Sequence, residues 1–281
     1  MNKVIKNFKN IKYGPAPEDN SEVLKWINNL PKPNHNFING EWSKSLSRKT
    51  LRSINPANNK KLIDLSISSK ADVDKAVKSA KKAFPSWSKT KPFERSKYLY
   101  ALARLIQKHS RFLSVLESID NGKPIRETRD IDIPLVARHF YYHAGWAKNS
   151  TVSDQKPIGV VGQIIPWNFP LLMLSWKIAP AIAAGNTVVL KPSEMTPLST
   201  LKAAEYFAEI FPPGVINIIV GRGNSVGESL ASHPKVRLIS LTGDISTGKK
   251  VLQAASDNLK KTHLELGGKA PVIVFDDADL K

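Results

Sequence analysis

Residues 158–194, IGVVGQIIPWNFPLLMLSWKIAPAIAAGNTVVLKPSE, constrain what this chain can fold into more than any other stretch. Two short apolar runs, 158–165 and 187–190, have strand character, and each ends in a polar cluster. The first runs into Pro166-Trp167-Asn168-Phe169-Pro170 and the second into Lys191-Pro192-Ser193-Glu194. Between them, residues 171–184 are long enough for a helix that Gly185 closes. Strand, helix and strand make one βαβ unit, with a right-handed crossover expected. In open parallel sheets, ligands sit just beyond the carboxyl ends of the strands, which is where both clusters fall.

The chain repeats this alternation downstream. Strands are expected at 158–165, 187–190, 215–220, 236–241 and 262–266, with helices at 171–184, 198–210, 224–232 and 246–258. That order predicts an α/β fold with a doubly wound sheet. Upstream, Asn39-Gly40 within FINGEW supplies the positive φ angles of a type I′ hairpin. Strands at 51–54 and 61–67 flank a turn at Asn55-Pro56-Ala57-Asn58. Ser69 is placed to cap a helix with an apolar stripe of Val73, Ala76, Val77, Ala80 and Phe84. Pro92 opens a second helix with Leu99, Leu102, Ala103 and Ile106 inward, and a third, 112–120, stops at Asn121-Gly122. Pro134 is expected to kink or split the helical run 125–147. A last strand is expected at 271–275, and a stop six residues later reads as a domain cut short.

Composition narrows the function classes. The net charge of +18 invites a nucleic-acid reading, yet only ten of the 42 basic residues are Arg and the Lys are scattered. The densest run, 75–82, falls on the wet face of an amphipathic helix, so a solvated basic surface is expected and no nucleic-acid partner. Residues 157–176 carry no charge, but Pro157, Gln163, Pro166, Asn168 and Pro170 argue against a membrane span. MNKVIKNFKN has no apolar run behind it and is no secretory signal, so a cytoplasmic location is expected. With no cysteine, the chain offers no disulfide, thiolate metal site or thiol nucleophile.

The strand-end clusters carry candidate chemistry. Asn168 presents an amide suited to a developing oxyanion, although a structural turn Asn fits the spacing equally. Lys191 and Glu194 can grip a diol or a phosphate, against the alternative of a plain surface ion pair. Gly221-Arg-Gly223-Asn-Ser-Val-Gly227 follows a strand and opens a helix, with its third Gly one residue late for a dinucleotide fingerprint. Thr242-Gly243-Asp244 ends the next strand before a helix that Asp244 or Ser246 would cap. Glu265 stands before Gly267-Gly268 as either a general base or a solvated carboxylate.

Taken in order, PWNFP, KPSE with TPLS, PPGVIN, LTGD with TGK, and ELGGKAPVIVFDDADL strongly resemble the aldehyde dehydrogenase superfamily. The resemblance begins near Phe37 and includes FINGEW, NPA, ESIDNGKPIRETRD and YYHAGWA. Tyr13-Gly-Pro-Ala-Pro17 and the ESIDNGKP wording look most like the family-sixteen branch. It implies the Rossmann-like cofactor domain of that fold, meeting the start of a catalytic domain at 269–281. The expected divisions are an N-terminal extension at 1–35, a helical and hairpin part at 36–147, a short bridging segment at 148–157 and a cofactor core at 158–268.

The resemblance also implies roles. Asn168 would be half of an oxyanion hole, and Glu265 the base that activates water against a thioester. Lys191 and Glu194 would hold the adenosine ribose, with the carboxylate favouring NAD over NADP, and Ser193 between them would also belong to the cofactor site. Ile164, Ile165, Pro166 and Trp167 would line the nicotinamide side. Gly223 and Gly227 would admit the adenine, and Thr242, Gly243, Asp244 and Thr247 would lie under the pyrophosphate and nicotinamide. The implied reaction oxidises an aldehyde to a carboxylic acid through a cysteine thiohemiacetal and thioester. The family's cysteine lies farther beyond its Glu than the sixteen residues that follow Glu265, so this chain by itself is expected to be inactive. A non-catalytic scaffold is the alternative. Asp244 replaces the family's usual Ser and would compete with a pyrophosphate, and the short bridging segment leaves a homo-oligomer open.

Overall fold

The computed structural model describes Ile5 and residues 18–30, 36–47, 49–148 and 155–280. The Tyr13–Pro17 motif and most of the bridging segment lie outside these. Helix α1 (Ser21–Asn29) precedes a hairpin of β1 (Asn36–Ile38) and β2 (Glu41–Ser43). Asn39 and Gly40 hold φ of 60° and 82°, as the type I′ turn requires. A second antiparallel pair, β3 (Thr50–Asn55) and β4 (Lys60–Ser66), forms its own two-stranded sheet.

Three helices follow: α2 (Lys70–Lys89), α3 (Pro92–Lys108) and α4 (Ser110–Asn121). Ser69 and Asp72 cap α2 reciprocally, each side chain accepting from the other's backbone N–H. Gly122, at φ 84°, closes α4, and a Cβ there would come within 2.6 Å of Pro56 Cγ. The helical run at 125–147 is not split: it stays helical throughout and changes pitch ahead of Pro134. One turn of π-helix, Thr128–Asp132, leads into α5 (Ile133–Ala147), whose first turn holds Pro134. The residues before it are already helical, with the Ile133 N–H bonded to the Thr128 carbonyl, so Pro134 falls inside the run and its missing N–H follows directly on the wide π-turn.

The remainder alternates: β5 (Val160–Ile164), α6 (Pro170–Ala183), β6 (Thr187–Lys191), α7 (Leu198–Ile210) and β7 (Ile216–Ile218). A π-turn, Gly223–Gly227, opens the short α8 (Glu228–Ser232), followed by β8 (Val236–Gly243), α9 (Ile245–Ser256) and β9 (Lys261–Leu266). The seven-stranded sheet has the order β2-β1-β7-β6-β5-β8-β9. Its five consecutive strands from β7 to β9 are parallel, and β1 joins β7 antiparallel. Chain order reverses between β5 and β8, the switch point of a doubly wound sheet.

Successive residues of β6 point to opposite faces, and the core divides accordingly. Val188 and Leu190 join Leu102, Phe140, Leu174, Ile178 and Phe207 on one side. Val189 joins Val77, Leu230, Ile239 and Val251 on the other. A third cluster ties α1 to the body through Val23, Ile27, Leu65, Leu116 and Leu201, so this part of the expected extension is built into the core.

One expected element is missing. Residues 271–275 form no strand, and Val272, Ile273 and Phe275 are 86%, 76% and 72% exposed. A β-branched run makes a strand only where a neighbour supplies the ladder, and no described strand pairs with it. Among the described residues, no helix is long and apolar enough to cross a membrane.

Candidate active site at the carboxyl edge of the sheet

Register brings the strand ends into one row. Ile164 of β5 lies opposite Lys191 of β6 on one side and Leu241 of β8 on the other. Thr242 and Gly243 of β8 lie opposite Glu265 and Leu266 of β9. Neighbouring strands sit about 4.8 Å apart, so the segments leaving them crowd along a single edge.

The turn after β5 carries Pro166, Trp167 and Asn168, with Ile164 and Ile165 buried beneath it. Asn168 is exposed, and its side chain makes no hydrogen bond among the described residues. The Trp167 carbonyl accepts two bonds, from Asn121 Nδ2 at 2.6 Å and from Thr196 Oγ1 at 3.1 Å. Phe169 lies under the Lys123 ammonium, 3.5 Å from its ring centroid.

At the tip of β6, Lys191 is 2% exposed, so its pairing with Glu194 is no surface ion pair. Lys191 Nζ donates to Glu194 Oε2 at 2.9 Å and to the Pro192 carbonyl at 2.8 Å. Burial lowers the Lys191 ammonium, opposed by the Glu194 charge. Burial also works to raise the Glu194 carboxyl, but Lys191 and the Gly223 N–H outweigh it and hold the group below its ordinary value. Ser193 Oγ accepts from the Met195 N–H at 3.2 Å and shapes the same loop. Gly223 has open space where a Cβ would stand, and at Gly227 the nearest atoms are Ile164 Cδ1 and Lys191 Cδ at 3.7 Å.

On β8, Thr242 and Gly243 are half-buried, while Asp244 and Thr247 are exposed at the start of α9. Asp244 is the cap: Oδ1 accepts from Ser246 N–H at 2.7 Å and Thr247 N–H at 3.4 Å. The Ser246 bonds hold its carboxyl below the ordinary value. These N–H groups are the donors that a phosphate at a helix start would use.

Glu265 is exposed and stands in line with three residues that sequence reasoning missed. His263 Nε2 lies 3.8 Å from Glu265 Oε1, and its Nδ1 lies 3.0 Å from Ser240 Oγ. Lys177, from α6, donates to Ser240 Oγ at 2.7 Å. Burial brings the Lys177 ammonium down to about 8, against the opposing pull of Glu265. A signal for Lys177 existed, since it is the one charge between 157 and 190. Two open concavities among the described residues, of 630 and 520 Å³, are lined by 44–47 with Lys49, Thr50 and Ser66, and by Lys49, Thr50, Ile67, Arg222, Asn224 and Ser225. Neither includes a strand-tip residue singled out above.

The comparison with known proteins decides the kinship. Residues 42–281 match the aldehyde dehydrogenase family. The chain belongs to that family. An aldehyde dehydrogenase of Agaricus bisporus is 46% identical over 261 residues, covering 87% of this chain and 52% of that protein. Betaine aldehyde dehydrogenase of Staphylococcus aureus, solved with NAD+, is 40% identical with a TM-score of 0.84, over 92% of this chain and 54% of the other. Aldehyde dehydrogenase C of Pseudomonas syringae, a cysteine-to-alanine variant solved with NAD+ and octanal, is 38% identical with a TM-score of 0.82, over 88% and 53%. The chain spans about half the length of these relatives.

Proposed function

We propose that the carboxyl edge of this sheet binds NAD and forms the cofactor side of a site that oxidises an aldehyde to a carboxylic acid. The observation that carries this reading is the buried Lys191 paired with the part-exposed Glu194 at the tip of β6, with glycine on the facing turn. An ionised Glu194 accepts from ribose hydroxyls and repels a 2′-phosphate, which favours NAD over NADP. When bound, NAD supplies the hydride acceptor.

The other residues serve the chemistry beside it. Asn168 offers its free amide N–H to the oxygen on which charge develops. Glu265 takes a proton from water, and His263, Ser240 and Lys177 continue the polar line behind it. The family's thiol is not among the 281 residues, so the chain by itself binds NAD without turning over an aldehyde. Calorimetry with NAD and NADP tests this. Saturable NAD binding, weaker NADP binding and no NADH absorbance with added aldehyde are expected. The absence of saturable NAD binding would sink the reading.

A further inference from the structure

Three residues on the last turn of α4 reach the strand-end loops from behind. Glu117, Asp120 and Asn121 have the i, i+3, i+4 spacing that shares one helix face. Glu117 Oε2 accepts from the Leu171 N–H at 3.2 Å, at the start of α6. Asp120 Oδ2 accepts from the Leu198 N–H at 2.8 Å, at the start of α7. Asn121 Nδ2 donates to the Trp167 carbonyl, which Thr196 Oγ1 also reaches. The Trp167 carbonyl is thus a junction of α4, the turn leaving β5 and the loop leaving β6.

The turn is anchored at its two ends, by the Ile165 N–H on the Lys191 carbonyl at 3.2 Å and by Phe169 packed on the core under Lys123, and between them the Trp167 carbonyl is its tether. The Trp167 side chain is 52% exposed and Asn168 is exposed, so neither anchors the turn by packing. The direction in which Asn168 points follows from the peptide before it, and that peptide is fixed by its carbonyl. We propose that Asn121 is a positioning residue: with Thr196 it locks the Trp167 carbonyl, aims Asn168, and holds the turn in register with the Lys191–Glu194 loop. This rests on the NAD reading of the same edge.

The test uses the 281-residue chain with Asn121→Ala, Thr196→Val and the double variant. Two readouts are taken: Kd for NAD, and hydrogen–deuterium exchange of residues 165–170 without cofactor. Each single variant leaves the carbonyl one donor, so each is expected to weaken NAD by about threefold. The double variant frees the carbonyl and is expected to weaken NAD by more than roughly tenfold, beyond the product of the singles. Exchange across the turn is expected to rise by about tenfold in the double variant while the thermal midpoint stays near that of the unmodified chain.

A purely structural role would lower the midpoint and leave Kd unchanged, which overturns the proposal. Unchanged exchange in the double variant overturns it whatever NAD does. If even the unmodified chain fails to bind NAD, the cofactor reading falls and takes the cofactor half of this proposal with it. Exchange then decides the tether alone.

Discussion

Lys191 Nζ stands 2.9 Å from Glu194 Oε2, with the lysine side chain 3% exposed and the glutamate 32% exposed. The pair is lopsided. The cation depends on its partner for solvation, whereas the anion keeps water on one side. Opposite substitutions should therefore have unequal costs.

Glu194→Ala leaves a buried ammonium with only the Pro192 carbonyl, and about 3 kcal/mol of stability should be lost, the lower end for breaking a buried pair. Lys191→Met keeps the buried stem and leaves Glu194 free to hydrate, so the loss should be nearer 1 kcal/mol. Urea midpoints of the two variants check this. Equal losses would show that the pair is symmetric and the burial argument is misplaced.

The fully buried carboxyls of α4 predict a pH effect. Burial, with the Asp132 charge, pushes Glu117 up to about 7, and burial, opposed by the Leu198 N–H, pushes Asp120 up to about 8. Their reference values are 4.5 and 3.8, so between these limits the folded chain holds more protons than the unfolded one. Stability from these groups is complete below about pH 4 and is lost as pH rises toward 8, at up to about 1.4 kcal/mol per pH unit for each proton of difference. Asp120→Asn mimics the protonated form: its Oδ1 accepts from Leu198, and Ser53 Oγ, 3.4 Å from the carboxyl, can take its amide N–H. Thermal midpoints from pH 5 to 8 should fall for the unmodified chain and fall less for Asp120→Asn. Parallel curves would refute the assignment of this slope to Asp120.

The same residues show how far sequence reaches. Signals confined to a few neighbours were legible: the Asn39-Gly40 turn, the Ser69 cap, the stop at Gly122 and the strand–helix alternation from 158 onward. The family motifs fall on the strand tips because each tip is local to its own strand. Glu117 and Asp120 were illegible as caps, since the N–H groups they accept lie 54 and 78 residues away. Lys177 likewise acquires its surroundings from β8 and β9. The strand expected at 271–275 does not form for the complementary reason, because propensity for a ladder is not a ladder.

Asp244 gives the sharpest test of where the cofactor's phosphates would lie. Its carboxylate occupies the N–H groups of Ser246 and Thr247, at the positive end of the α9 dipole. A pyrophosphate docked at that helix start meets a resident anion and has fewer free donors. Asp244→Ser keeps a competent cap, because a serine hydroxyl accepts from the same N–H groups, and it removes the charge. The thermal midpoint should hardly move, while NAD should bind several-fold tighter at low ionic strength, with the gain shrinking as salt is added. Calorimetric titrations at two salt concentrations measure both effects. An affinity that ignores the substitution at either concentration would place the phosphates away from α9 and confine the dinucleotide to the β5 and β6 side of the edge.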